Sequence, residues 1–212
     1  MTASPSVRPF EVRHLQLARA LFAALAAVMV TFSPDHSAAV GLAVFSGFAM
    51  ATGLVFALAA WLVYPAGDRA PALVLAALNL AAGMVVGIAP WRTTTMLFVV
   101  FIAWGALTGL VEIIAGVRER RGQAKRLAPR DTLTVGILSA AFAVGVAVVP
   151  TGYALEYYIE EAGQSFTLTG TIIAVGIFGV YAAILAVYLG IAGFSPRRDA
   201  AAAPTSAEEV DA

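Results

Sequence analysis

The chain has no cysteine, which excludes disulfides, thiolate metal sites and a cysteine nucleophile at once. It is also poor in charge. Only 12% of its 212 residues are Asp, Glu, Lys or Arg, about half the share carried by soluble domains. Histidine occurs only at His14 and His36. The sequence contains no Walker loop, no G-x-S-x-G elbow and no zinc-ligand spacing. A non-enzymatic protein is therefore expected, with no catalytic residue, no cofactor, no metal and no nucleic-acid partner.

Apolar residues fill the space that charge leaves. They make up 60% of the chain, and the mean hydropathy is +0.86. An excess of this size cannot be hidden in a soluble core, because a compact body needs a polar skin. The expected solvent, and the first expected partner, is a lipid bilayer. A span needs roughly 20 apolar residues as helix, and six stretches qualify: about 15–34, 38–63, 70–90, 93–117, 132–150 and 168–194. Residues 37–64, 70–91 and 162–196 carry no charge at all. Uninterrupted runs of this length fit helices, which satisfy their own backbone in lipid, and do not fit a barrel. The first span is the weakest, with only fifteen uncharged residues from Ala20 to Pro34 and Arg19 just inside its start. It is read as a span rather than a signal peptide because it belongs to the repeat described below.

The few charges set an orientation. Loop 118–131, "RERRGQAKRLAPRD", holds six cations and is expected in the cytoplasm. Alternation then places both termini inside, in keeping with Arg8, Arg13, Arg197 and Arg198. The outer side holds Asp35, Glu156, Glu160 and Glu161 but only one cation, Arg92. Residues 1–14 read as a cytoplasmic N-terminal tail, 15–195 as the transmembrane domain and 196–212 as a C-terminal tail. The stretches 1–9 and 199–212 have the composition of disorder.

The tetrapeptide Thr-Gly-Leu-Val occurs twice, opening "TGLVFAL" at residue 52 and "TGLVEII" at residue 108. Pro34 lies nineteen residues before Gly53, and Pro90 nineteen before Gly109. A diverged third unit follows, in which "SAAFAVGVAVVP" (139–150) parallels "NLAAGMVVGIAP" (79–90). The units run about 15–64, 70–117 and 132–195. Each is a hairpin that crosses, turns at a proline and returns, so all three point the same way. The fold class expected is all-α, with six transmembrane helices as three parallel hairpins around a pseudo-threefold axis. Gly83 with Gly87, and Gly105 with Gly109, form G-x-x-x-G pairs; Gly53 and Gly179 occupy related places. Small residues at this spacing let helix backbones approach closely in lipid, so these six glycines are expected to pack the bundle internally.

The stretches "VTFSPDHSAAVGLAVFSGFAMATGLVFAL" and "VGIAPWRTTTMLFVVFIAWGALTGLVEIIAGVRER", with the third unit, resemble the HdeD family of bacterial acid-resistance membrane proteins. The resemblance covers about 15–195. It implies six helices in a bacterial inner membrane and a link to acid or envelope stress, and it carries over no catalytic residue.

Two places break the apolar pattern. Glu112 stands inside a span where the first unit has Phe56 and the third Ala186. Intramembrane acids mark proton or ion paths, or pair with a cation. Arg19 lies near the same face on a helix running the other way. Helical side chains tilt toward their own N-terminus, which brings Arg19 and Glu112 toward one level as a pair fastening the first helix to the fourth. Asn79 is expected to bond across helices, while Thr52 and Thr108 bond back to helix carbonyls. The second place is the loop "GYALEYYIEEAG" (152–163). Leu155, Tyr158, Ile159 and Ala162 fall at helical spacing, so a short amphipathic helix on the outer leaflet is expected. Tyr153, Tyr157 and Tyr158 would sit at the membrane boundary, and Glu156, Glu160 and Glu161 would face water, where they could lose charge in acid. His36 beside Asp35 reads as a solvated turn residue and His14 as interfacial. Three roles stand open: a stress-tolerance protein, a transporter or narrow ion or proton pathway, and a structural subunit that meets its own copies or another membrane protein.

Overall fold

The computed structural model describes residues 11–122 and 129–195. Arg8, Lys125, Arg126, Arg197, Arg198 and the tails read as disordered lie outside the described residues. Among the described residues six α-helices run in chain order: α1 (Val12–Phe32), α2 (Ala38–Leu62), α3 (Ala70–Gly87), α4 (Thr94–Arg120), α5 (Pro129–Ala147) and α6 (Gly170–Phe194). All except α5 are long and apolar enough to cross a membrane, and α5 is apolar but shorter from Asp131 to Ala147. That stretch extends about 26 Å at 1.5 Å per residue, just under the ~30 Å hydrocarbon core. It ends three residues before its expected bound because Pro150 disfavours helical backbone at the residue before it. Large apolar side chains such as Leu54, Leu110, Val144 and Val187 are exposed around the outside. A surface of this kind marks a multi-pass membrane protein.

The returning helices α2, α4 and α6 start alike. Ser37, Thr93 and Thr169 each accept a hydrogen bond from the backbone amide three residues on, satisfying a donor the first helical turn would otherwise leave orphaned. Packing then closes a ring in which the most extensive contacts are α2 on α3, α4 on α5 and α6 on α1. Glycine sets these three contacts. A Cβ at Gly53 would lie 2.8 Å from Leu80, and one at Gly83 would lie 2.6 Å from Met50. At Gly105 it would meet Phe142, at Gly179 Val30, and at Gly109 the backbone of Ala140 and Gly136. Gly87 differs from the expectation. A Cβ there would meet only Ser46 Oγ at 3.5 Å, an ordinary contact, with no backbone of α2 within reach.

The three returning helices also touch one another at the centre. Phe45, Phe101 and Phe178, one from each, form a triangle with ring centroids 5.2–5.6 Å apart. Phe48, Trp104, Phe142 and Tyr181 extend the cluster. All seven rings are buried, so aromatic side chains fill the centre of the bundle.

The expected amphipathic helix at 152–163 is not present. Residues 154–169 form an antiparallel hairpin of β1 (Ala154–Ile159) and β2 (Gln164–Thr169), joined by a short 3₁₀ turn and by Gly163 at φ +64°. Aromatic and β-branched residues favour a pleated surface over a helix, and glycine takes the left-handed position that closes the turn. The register pairs Leu155 with Leu168 and Tyr157 with Phe166, whose rings stack at 6.0 Å. Leu155, Tyr157 and Ile159 therefore share one face at a period of two, while Glu156 and Tyr158 share the other. Glu160 and Glu161 sit in the turn, and Tyr153, at the hairpin's foot, accepts a bond from the Gly170 amide.

Gly109→Leu should force α4 off α5. Overpacking a close contact costs about 1–3 kcal/mol, so a lower melting temperature in detergent is expected, with Gly87→Ala near wild type as the comparison.

Candidate functional site

Nearly every buried polar group lies toward the end of the bundle that carries Arg13, Arg69, Arg118, Arg120 and Arg121, here termed the basic end. Glu112 projects from α4 with its side chain 3% exposed, and Arg19 projects from α1. Arg19 Nη2 donates to Glu112 Oε1 at 2.8 Å, so the structure brings these two residues together. The same guanidinium lies 4.4 Å from the centroid of the Phe56 ring, a favourable cation–π distance. The residues that follow the two Thr-Gly-Leu-Val phrases thus converge on one arginine. Phe56 offers a ring face and Glu112 a charge.

Further polar contacts surround the pair. Trp104 Nε1 donates to Asn79 Oδ1 at 3.1 Å, joining α4 to α3, and Asn79 Nδ2 donates to the Leu75 carbonyl. Thr108 donates to the Trp104 carbonyl at 2.7 Å. Ser139 on α5 and Tyr181 on α6 share a hydrogen bond of 3.0 Å. Sequence reasoning missed Asp131. It accepts from Gln16 Nε2 at 2.6 Å and from the Tyr188 hydroxyl at 3.1 Å, tying the start of α5 to α1 and α6. One signal for it existed: Gln16 is a polar residue one helical turn before Arg19, on the face that α1 buries.

The remaining candidates sit apart from this group. The Asp35 carboxylate accepts from the Ser37 amide at 2.7 Å and from its hydroxyl, so it shapes the first turn, with His36 between them. His14 Nδ1 accepts from the Glu11 amide and belongs to the start of α1. Arg92, the lone cation expected outside, donates to the carbonyls of Val86 and Gly87 and so caps the end of α3. The hairpin residues Tyr153, Glu156, Tyr157, Tyr158, Glu160 and Glu161 are exposed at the opposite end.

The cavities follow the polar groups. One of about 170 Å³ opens at the basic end and reaches Glu112 and Arg19 past Tyr64, Asp68, Arg118 and Glu119. A smaller one of about 30 Å³ lies beside Gln16 and Asp131. A third, of about 10 Å³, continues past Glu112 to Thr52, Asn79, Ser139 and Tyr181. Phe48, Trp104 and Tyr181 of the aromatic cluster close its far side. Tyr64, just past the end of α2, feels this setting. Burial pushes its phenol up to about 12; Arg19 pulls the other way, and Glu119 and Glu112 add to the rise. Among the described residues, no group of three or more His, Asp or Glu stands close enough to hold a metal ion. Comparison with protein-family models, with characterised proteins and with solved structures finds no match to the chain.

The arrangement is a buried ion pair at the floor of a one-sided vestibule. Taking two charges out of water is costly, and removing one partner strands the other. Glu112→Ala should therefore destabilise the protein by about 3–5 kcal/mol, and Arg19→Met combined with Glu112→Leu should recover most of that loss. Thermal unfolding of the single and double variants measures it; costs that simply add would show that the pair is not coupled. Alkali supplies a separate check. The raised Tyr64 value means that the folded state resists deprotonation. Its contribution is full below the ordinary value of 10.0 and is lost as pH climbs toward about 12. Tyr64→Phe should flatten the fall in melting temperature across that window.

Proposed function

We propose that the chain is a non-enzymatic, multi-pass inner-membrane protein of the HdeD type that supports tolerance of acid or envelope stress. On this reading the hairpins α1–α2, α3–α4 and α5–α6 are three parallel repeats about a pseudo-threefold axis. Their matching Ser or Thr caps, the alternating tight contacts around the ring and the Phe45–Phe101–Phe178 triangle support the symmetry. The basic end faces the cytoplasm and the hairpin end the outside. This follows the bias of Lys and Arg toward cytoplasmic loops. The one outer cation is consistent with it, since Arg92 has a helix end to cap.

The observation that carries the proposal is the closed axis. A conducting path needs a continuous polar or hydrated line, and tilted and edge-on rings pack across the centre of the bundle beyond Glu112. The protein therefore acts as a sealed membrane body whose contribution to acid tolerance does not involve ion flow.

A narrow proton pathway is the second reading. It is favoured by the vestibule that brings solvent within reach of Glu112. Reconstituted vesicles with a pH gradient separate the two. The first reading expects the gradient to decay no faster than in protein-free vesicles, with deletion of the gene lowering survival of an acid challenge. Faster decay that Glu112→Gln abolishes would favour the pathway instead, and unchanged acid survival would remove the stress role.

A further inference from the structure

Thr52 and Thr108 stand 56 positions apart, each opening one Thr-Gly-Leu-Val phrase. Both are buried, at 3% exposure, yet their hydroxyls differ. Thr108 donates to the carbonyl four residues back, that of Trp104, at 2.7 Å. Thr52 Oγ1 is buried with no partner, although the corresponding carbonyl, that of Phe48, is in reach of a back-bond in a regular helix. A second buried atom shares this condition. Arg19 bonds Glu112 only through Nη2, and its Nε is buried without a partner. Arginine commonly meets a carboxylate with two parallel N–H groups; here one of them is left over.

Both residues line the same cavity, of about 10 Å³, which Glu112 also lines. That volume is decisive. A space of roughly 10–15 Å³ by this measure accepts one water molecule, and it excludes a hydrated ion or an organic ligand. The other polar side chains around it are already engaged: Asn79 with Trp104, Thr108 with a carbonyl, and Ser139 with Tyr181. The groups that remain are the Arg19 Nε–H and the Thr52 hydroxyl, both without a partner, and the Glu112 carboxylate, which lines the same space and can accept a further bond. Together they make three partners, the number a buried water typically takes.

We propose that a single internal water occupies this cavity. It accepts from Arg19 Nε, bonds the Thr52 hydroxyl and donates to Glu112. The water completes the half-used arginine fork and ties α2 into the link between α1 and α4. The vestibule that reaches Arg19 and Glu112 from the basic end gives it a route in.

The test rests on the sign of one substitution in the full chain. In a dry cavity Thr52→Val removes an orphaned hydroxyl from buried surroundings, and the protein gains stability. In a hydrated one the same change takes a partner from the water, and the melting temperature falls by about 2–4 °C. Thr52→Ser keeps the hydroxyl and should restore most of the loss. A density map fine enough to show ordered waters supplies the second readout: a peak between Thr52 and Arg19 in the wild type that is missing in Thr52→Val. A rise or no change in melting temperature with Thr52→Val, or a clean map without the peak, overturns the proposal.

Discussion

Helices surrounded by lipid gain nothing by hiding apolar side chains from their solvent, because the solvent is equally apolar. What remains is the closeness of fit between surfaces, with hydrogen bonds where they can be made. The bundle depends on that constraint. Gly53 and Gly83 bring α3 onto α2, Gly105 and Gly109 bring α5 onto α4, and Gly179 brings α1 onto α6. These contacts leave α2, α4 and α6 to meet at the centre, where aromatic rings rather than small side chains fill the space. Small residues between neighbouring helices and large ones on the axis are two parts of one packing solution. Enlarging the first group would push apart the helices that hold the second.

The charged pair answers to a different cost. An unpaired acid in the bilayer interior is expensive, and Glu112 avoids that through Arg19. Arg19 in turn is held by more than its counter-ion, since its guanidinium lies over Phe56. Gln16, one turn earlier on the same helix, reaches Asp131. α1 is thus fixed by polar contacts to α4 and α5, whereas its contact with α6 rests on shape. This explains how an arginine, a glutamine and a run of alanines coexist on the buried side of a helix that also faces lipid.

How far the sequence could be read depended on the kind of force involved. Six helices and their order were legible, because hydropathy and length are local properties and lipid leaves few alternatives to helix. The pairing of Arg19 with Glu112 was legible too, since the opposite directions of α1 and α4 and the tilt of helical side chains place both at one depth. The hairpin was not. "ALEYYIEEA" fits a helical period through Leu155, Tyr158, Ile159 and Ala162, and a strand period through Leu155, Tyr157 and Ile159. The choice between them lies in the partner strand from Gln164 to Thr169, whose last residues also continue the apolar run of the final helix. Asp131 stayed hidden for a similar reason: its partners, Gln16 and Tyr188, are 115 and 57 positions away. The short α5 follows from Pro150, which a hydropathy pattern does not register although it restricts the residue before it.

The positions at which the helices differ say more about function than those they share. Capping hydroxyls serve α2, α4 and α6 alike, because each of these helices must start in the same way. The acid is not shared: Glu112 follows the second Thr-Gly-Leu-Val phrase, and Phe56 follows the first. A buried acid needs a buried cation, and α1 brings Arg19 to that level. A single pair on one side of the bundle creates one polar corner, open to the basic end and closed by rings above. Any chemistry specific to this protein, as opposed to its architecture, is therefore concentrated where α1 meets α4.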